Sequence, residues 1–544
     1  MKRAFLLTLL LISGCEDGDG FETVRFPGDF LWGTASAAYQ VEGTNDPVMG
    51  TVPSNWQEWE ELGKIKDEQR NAEGSGFYTL YDQDFEKAQA LGTNAYRLGL
   101  EWARIEPTRG NFKQHAIDHY REVLLAARAR GLEPIVTLYH WVVPPWVQSP
   151  VSGVDLLAEA PTAEEVGGKI VLKSAFADAI TPYAAEMASQ LGDLVDTWVV
   201  LNEPYTVLLA GYLTSQHPNG GFLEIISMRN AALNYIIAYA SAYDAIKAND
   251  PDCRVGNAAV GSAAKPASPT DPEDASAAQR VNYLVNDWMT IAWTSGDLDV
   301  NLDQDTTDSD GPIPEGNYLE QLGGRLDYVG LNYYSTLKVV HCPGLPDMVD
   351  SDPQAAALAS NLLALPKPIG KPGTPFSENG LEIDVPGMLD TLRIYGGYAD
   401  ESRPILIMEN GHGDCDDDQR PRYITEHLYQ VGLAIKEGIP VAGYMLWSLT
   451  DNFEWHEGRD QCFGIYKVDY DNDFNRSETL TVPLYRRIIA EGKIGKSLYE
   501  EYTAVPYPTD CLGIEDQAER QACIDSNPNP LSGLQELFES ICAE

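Results

Sequence analysis

Two glutamates stand out by where they sit. Glu203 follows a run of apolar residues in Leu201-Asn202-Glu203-Pro204, and Glu409 follows another in Met408-Glu409-Asn410-Gly411. A buried strand has no packing use for a carboxylate at its end, so each is a candidate for proton transfer or nucleophilic attack. Other apolar runs finish in the same way. Gln40 lies just past the first of them, His140-Trp141 close another, Asn332 and Tyr334 a third, and Trp447 falls near the end of the last. Carboxylates, amides, an imidazole and indole rings in one concavity make a carbohydrate site, because hydroxyls bond to amides and carboxylates while apolar C–H faces stack on rings. Taken singly, each residue has a plainer reading. Glu203 could be a loop carboxylate, His140 a core histidine, Trp141, Trp447 and Trp455 core packing, and Arg97 an ion-pair partner. Independent runs that deliver their odd residue at the same end are not what chance core polarity produces.

The runs that must position these residues number eight: Phe30 to Ala38, Asn94 to Trp102, Glu133 to Trp141, Asp196 to Pro204, Cys253 to Val260, Leu326 to Tyr334, Pro404 to Gly411 and Val441 to Leu449. Between them lie segments with apolar residues at helical spacing, among them Tyr78 to Leu91, Ala116 to Arg130, Ala175 to Leu191, Met228 to Ala248 and Tyr423 to Glu437. This alternation predicts an α/β fold with a parallel sheet, and eight units of it predict a (β/α)8 TIM barrel. Every strand end would then open on one mouth. Long βα loops are expected after strands three, five and six, including Ser262 to Gln279 and Pro343 to Pro375.

With 38 Lys+Arg against 82 Asp+Glu in 544 residues, the net charge is −44, and an anionic surface excludes nucleic acid as a partner. Met1-Lys2-Arg3 and the apolar run Phe5 to Ile12 read as an export signal, too short to span a bilayer. Leu11-Ile12-Ser13-Gly14-Cys15 resembles the lipobox of bacterial lipoproteins, which implies lipidation at Cys15, attachment to a membrane and a place in the bacterial cell envelope. The expected organisation is a signal over 1–14, a linker over 15–25, a barrel domain over 26–500 and a Cys-containing C-terminal tail over 501–544. Seven cysteines remain beyond Cys15, at spacings that match no zinc site, so structural bridges are expected, with at least one thiol free. The acidic stretch at Asp308-Ser309-Asp310-Gly311 fails at two calcium-loop positions, Thr306 and Asn317, and reads as solvated loop. No metal or other cofactor is expected, and nothing in the sequence sets an oligomeric state.

The motifs together resemble family 1 glycoside hydrolases, the β-glucosidase and β-galactosidase family, over roughly Phe26 to Ile489. The matching segments run from Phe30-Leu31-Trp32-Gly33-Thr34-Ala35 and Tyr39-Gln40-Val41-Glu42-Gly43 through Thr137-Leu138-Tyr139-His140-Trp141 and Leu201-Asn202-Glu203-Pro204. They continue with Val329-Gly330-Leu331-Asn332-Tyr333-Tyr334, Met408-Glu409-Asn410-Gly411 and the run from Trp447 to Trp455. The resemblance implies a retaining β-glycosidase with Glu203 as acid/base and Glu409 as nucleophile, supported by Arg97, Tyr334 and Asn332. It also implies sugar contacts from Gln40, His140, Trp141, Asn202, Glu454, Trp455 and Phe463, with Trp447 as the stacking floor. A carboxylate at Glu454 would repel a phosphate dianion, so a non-phosphorylated β-glycoside or oligosaccharide is the expected substrate. Two segments depart from the family pattern: Val142-Val143-Pro144-Pro145-Trp146 after the His-Trp pair, and Leu98-Gly99-Leu100-Glu101-Trp102, which is closer to the archaeal-like branch.

Two other classes compete. A catalytically silent carbohydrate-binding barrel would be marked by loss of Glu203 or Glu409, and both are present. A metal-dependent barrel hydrolase would need clustered histidines, and the eight histidines form no His-x-His pair.

Overall fold

Short β-rich runs separated by amphipathic helices have one economical closure, with the strands parallel inside and the helices outside. The computed structural model takes it, and describes residues 21–307, 311–348, 353–362, 364–367, 372–532 and 542. The expected export signal, Cys15, the first part of the linker and Asp308 to Asp310 lie outside the described residues, as do parts of the Pro343 to Pro375 loop. Eight strands form a closed barrel: β1 (Leu31–Ala35), β2 (Ala95–Gly99), β3 (Glu133–Tyr139), β4 (Thr197–Asn202), β5 (Arg254–Val260), β6 (Val329–Asn332), β7 (Ile405–Asn410) and β8 (Val441–Trp447). Neighbours follow chain order and β8 pairs with β1. The crossover helices are α1 (Phe77–Leu91), α2 (Gln114–Ala129), α3 (Ala175–Leu191), α4 (Ile225–Asn249), α5 (Trp288–Ser295), α6 (Val385–Gly396), α7 (Arg420–Lys436) and α8 (Thr481–Glu491).

The strands are shorter than the apolar runs that announced them. The reason is local at two ends, where Trp141 and Glu203 have φ of +70° and +43°. A side chain in that left-handed region cannot continue an extended ladder, so the strand stops and the residue turns toward the mouth. Inside the barrel, small residues set the spacing: a Cβ on Gly330 would sit 1.7 Å from the Asn257 carbonyl oxygen. The interior is filled by Ala35, Ala95, Ile135, Val199, Leu406 and Met408, all buried, which makes the barrel a packed core and not a channel.

The long loops exist, with more structure than expected. The loop after β3 carries the hairpin Thr162–Val166 with Lys169–Lys173. Those after β5 and β6 share a three-stranded sheet of Lys265–Pro266, Lys338–His341 and Ala364–Lys367. The stretch Ser262 to Gln279, expected as loop, is helical from Pro272 on. Asp271 caps Pro272–Asn282 by accepting from the Glu273 N–H, and proline suits a first helical turn. The cysteines pair as Cys342–Cys542, Cys415–Cys462 and Cys511–Cys523, leaving Cys253 as a buried free thiol. The tail is thus stapled once within itself and once to the loop after β6. Among the described residues, no helix is long and apolar enough to cross a membrane.

Candidate active site

Register explains why the polar strand ends meet. Arg97 of β2 pairs with Ala35, which also pairs with Trp447, and Asn332 of β6 pairs with Glu409 of β7. Glu203 is the residue just after β4. Its N–H donates to the Ala258 carbonyl of β5 at 2.7 Å, and Pro204 starts the short helix Pro204–Val207. That helix returns Thr206, three residues on, to donate to Glu203 Oε2 at 2.7 Å.

The two glutamates are held differently. Glu409 accepts from Arg97 Nη1 at 2.6 Å on Oε1 and from Tyr334 Oη at 2.7 Å on Oε2. Arg97 is wholly buried, and its other nitrogens donate to Thr137 Oγ1 at 3.0 Å and Asn202 Oδ1 at 2.7 Å. One cationic and one neutral donor on opposite oxygens stabilise an anion at Glu409. Glu203 has only neutral donors, Thr206 and Asn332 Nδ2, the latter at 2.8 Å. Burial, and after it the charge of Glu409, pushes the Glu203 carboxyl up to about 7. A network joins the pair: Asn332 Nδ2 also reaches Asn202 Oδ1 at 3.1 Å, and Asn202 leads through Arg97 to Glu409.

Around them stand the side chains expected to contact sugar. Because Asn202 Oδ1 accepts twice, its Nδ2 is the donor toward His140 Nε2 at 3.1 Å, which puts the ring proton on Nδ1. Burial, and then Arg97, hold His140 well below the usual histidine range, so the ring is neutral. Gln40 spends its Nε2 on Asn452 Oδ1, the Phe453 carbonyl and Glu454 Oε2, at 2.9, 3.1 and 3.0 Å. Gln40 Oε1, His140 Nδ1 and Asn332 Oδ1 are buried without a protein partner, the kind of atoms a polyhydroxylated ligand satisfies. Glu454 is driven up to about 8 by burial, and next by Glu409. Trp455 stacks on Tyr39 at 5.7 Å between ring centres and packs on Trp141 at 4.5 Å. The Trp141 indole N–H donates to the Asn202 carbonyl at 3.0 Å, so its polar atom serves the protein and its ring face serves the wall. Trp447 lies near-parallel to His140 at 6.1 Å, and Phe463 meets Tyr334 edge-on at 6.2 Å.

The strand ends named by sequence thus come together at one end of one barrel. Sequence reasoning passed over Thr137, Thr206 and His217. Thr137 was visible as a hydroxyl inside an apolar strand, and Thr206 as a hydroxyl one helical turn after Glu203. His217 packs on Trp56 and Trp141 from the segment after β4, a long-range contact without a local signal. The unusual Glu101 is buried and caps the helix Trp102–Ile105 through the Ala103 N–H at 3.3 Å. Among the described residues one carboxylate trio could hold a metal: Asp414, Asp416 and Asp418, with oxygens within 4.8 Å of one another. Asp414 already accepts the N–H groups of Asp417, Gln419 and Arg420.

The model of glycosyl hydrolase family 1 matches residues 22–494. The chain belongs to glycosyl hydrolase family 1. Among its relatives is a β-galactosidase of Pyrococcus woesei, 30% identical over 536 residues that cover 88% of this chain and 99% of that one. Solved structures of a rice β-glucosidase in covalent complex with glucose and of the family 1 β-glucosidase from Thermotoga maritima both superpose with TM-scores of 0.72 at 26% identity. They cover 85% and 88% of this chain, and 99% and 100% of their own. This family 1 chain is a glycoside hydrolase. The silent-binder alternative gains no support from any of these comparisons.

Proposed function

We propose that this family 1 enzyme cleaves terminal, non-phosphorylated β-D-glycosides with retention, with Glu409 as nucleophile and Glu203 as acid and then base. The observation that carries it is the asymmetry of the pair: Glu409 is bonded to a buried guanidinium and a phenol, while Glu203 has neutral donors only. In a retaining pair the carboxyls lie about 5 to 5.5 Å apart across the scissile bond. The Glu409 oxygen attacks the anomeric carbon as Glu203 gives its proton to the departing oxygen. Forming the glycosyl ester removes the Glu409 charge that had held the Glu203 proton, so Glu203 is left as a base. Water then gives a proton to Glu203 and attacks the anomeric carbon, which frees Glu409.

β-Glucosides are the proposed preferred substrates, with β-galactosides and β-fucosides next, and Gln40 and Glu454 form one hydrogen-bonded unit that can meet two adjacent hydroxyls of any of these sugars. The charge of Glu409, which reaches Glu454, disfavours a phosphate dianion beside it. A 2-fluoro-glycoside should trap the ester, and mass spectrometry of peptides should find the label on Glu409. Label on any other residue refutes the assignment.

The proposal extends to location: an exported enzyme, lipid-anchored at Cys15 in a bacterial envelope. The leader over residues 1–14, with Cys15 directly after it, precedes the family match at residue 22, and three disulfides suit an oxidising compartment.

A further inference from the structure

Beyond the family match, residues 504–532 include the helix Gln517–Ser526. The segment grips two things. One is α7, where Tyr507 Oη donates to Glu426 Oε2 at 2.7 Å, Arg422 lies over the Tyr507 ring, and Arg422 Nη1 donates to the Val505 carbonyl at 2.7 Å. The other is the loop after β6. Thr509 Oγ1 accepts from the Phe376 N–H at 3.0 Å, the Cys511 N–H donates to the Gly373 carbonyl at 2.9 Å, and Asn529 Nδ2 donates to the Gly380 carbonyl at 2.9 Å. The approach is close enough to require glycine. Gly380 has φ of +87°, and a Cβ there would meet Asn529 and Leu531 at 2.7 Å. Cys511–Cys523 closes the segment on itself, and Cys342–Cys542 ties the end of the chain to the β6 loop a second time.

The gripped loop has its other side at the active site. Ser377, Asn379 and Glu382 line a small cleft, large enough for about one water, whose further walls include Tyr334, His412 and Phe463. Tyr334 is the residue that donates to Glu409. In chain-order topology β6 stands across the barrel from β2, while the glycone contacts lie at the ends of β1, β3, β4 and β8. The loop after β6 is therefore the wall faced by whatever the substrate carries beyond its first sugar.

We propose that the C-terminal segment is a specificity-determining brace, which fixes the β6 loop so that it forms a ready-made wall for the leaving-group sugars of an oligosaccharide. The idea rests on the glycosidase reading above. Its physical basis is that ordering a surface loop costs conformational entropy. When the tail orders the loop during folding, the substrate need not do so on binding.

The test compares β-glucosyl fluoride, which has no leaving-group sugar, with a β-linked gluco-trisaccharide. In Thr509→Val/Asn529→Ala and in Cys511→Ser/Cys523→Ser, KM for the trisaccharide should rise about fivefold or more, while kcat/KM for the fluoride stays within about twofold. An unchanged trisaccharide KM in both variants overturns the proposal. So does an equal loss on both substrates, which would make the tail a general support. Should the cysteine variant fail to fold, as its thermal transition reveals, the hydrogen-bond variant decides alone. A wild-type enzyme inert to both substrates sinks the glycosidase reading and the brace with it, whereas a wild type active on both with unaltered variants sinks only the brace.

Discussion

Glu203 and Glu409 are the same side chain in different company, and company decides their work. Both are buried, and only one has a cation against it. Since Glu203 titrates at about 7, it holds its proton below that pH and loses it above. For a poor leaving group, kcat/KM of the wild type should therefore fall about tenfold per pH unit on the alkaline side of the Glu203 titration. In Glu203→Gln that limb should vanish, and activated aryl glycosides should react with far less loss than poor leaving groups. Equal loss across leaving groups would remove Glu203 from the acid role. At this scale much could be read without coordinates. Glu203, Glu409 and Tyr334 each sit in a recognisable motif, while Arg97 precedes a segment that departs from one, and which oxygen each donor reaches depended on the register of β6 against β7.

Elements place these residues by ending in the right spot, and loops then have to be bolted down. Arg420, the first residue of α7, is wholly buried and does this for the loops after β7 and β8. It donates to the carbonyls of His412 at 2.9 Å and Gly464 at 3.0 Å, pairs with Asp417 at 2.6 Å, and also reaches the Asp414 and Cys462 carbonyls. Arg420→Met would strand Asp417 and several carbonyls in the core. The expected cost is about 3–5 kcal/mol, read as a shift in the denaturant midpoint. A loss below about 1 kcal/mol would mean that the loops hold without it. Apolar spacing located α3 to the residue, yet missed the helix Pro272–Asn282, whose alanine-rich sequence has a cap and a proline start but little apolar face. Capping signals, not periodicity, would have found it.

For the whole molecule, burial of acids in so anionic a chain links stability to pH. Burial raises Glu42 and Glu203 to about 7 and Glu101 and Glu454 to about 8. Unfolded, these groups titrate near about 4.3, so between that pH and 7 to 8 the folded state binds more protons. Their favourable contribution is complete below the unfolded value and is lost as pH rises through the folded ones. Asp193 and Asp460, held low by Arg121 and Lys66, act in the opposite sense and lose their contribution on acidification below about 4. The thermal midpoint should thus peak near about pH 5 and decline toward pH 9, and a flat profile over that range would refute the linkage. Location is a second property at this scale. Palmitate labelling in cells should depend on Cys15 and disappear in Cys15→Ser, whereas a freely soluble, unlabelled wild type would end the anchored reading.

Sequence by itself determined the barrel and the family and picked out two candidate glutamates, because strand ends and motif residues are local patterns and a parallel barrel turns local order into shared direction. The tertiary structure decided what depends on contacts distant along the chain: the network from Glu203 through Asn332, Asn202 and Arg97 to Glu409, the pairing of the cysteines, and the seat of the tail on the β6 loop. Spacing along one chain carries no record of which side chains share an oxygen across the mouth. Only the closed packing of eight strands brings them within bonding distance.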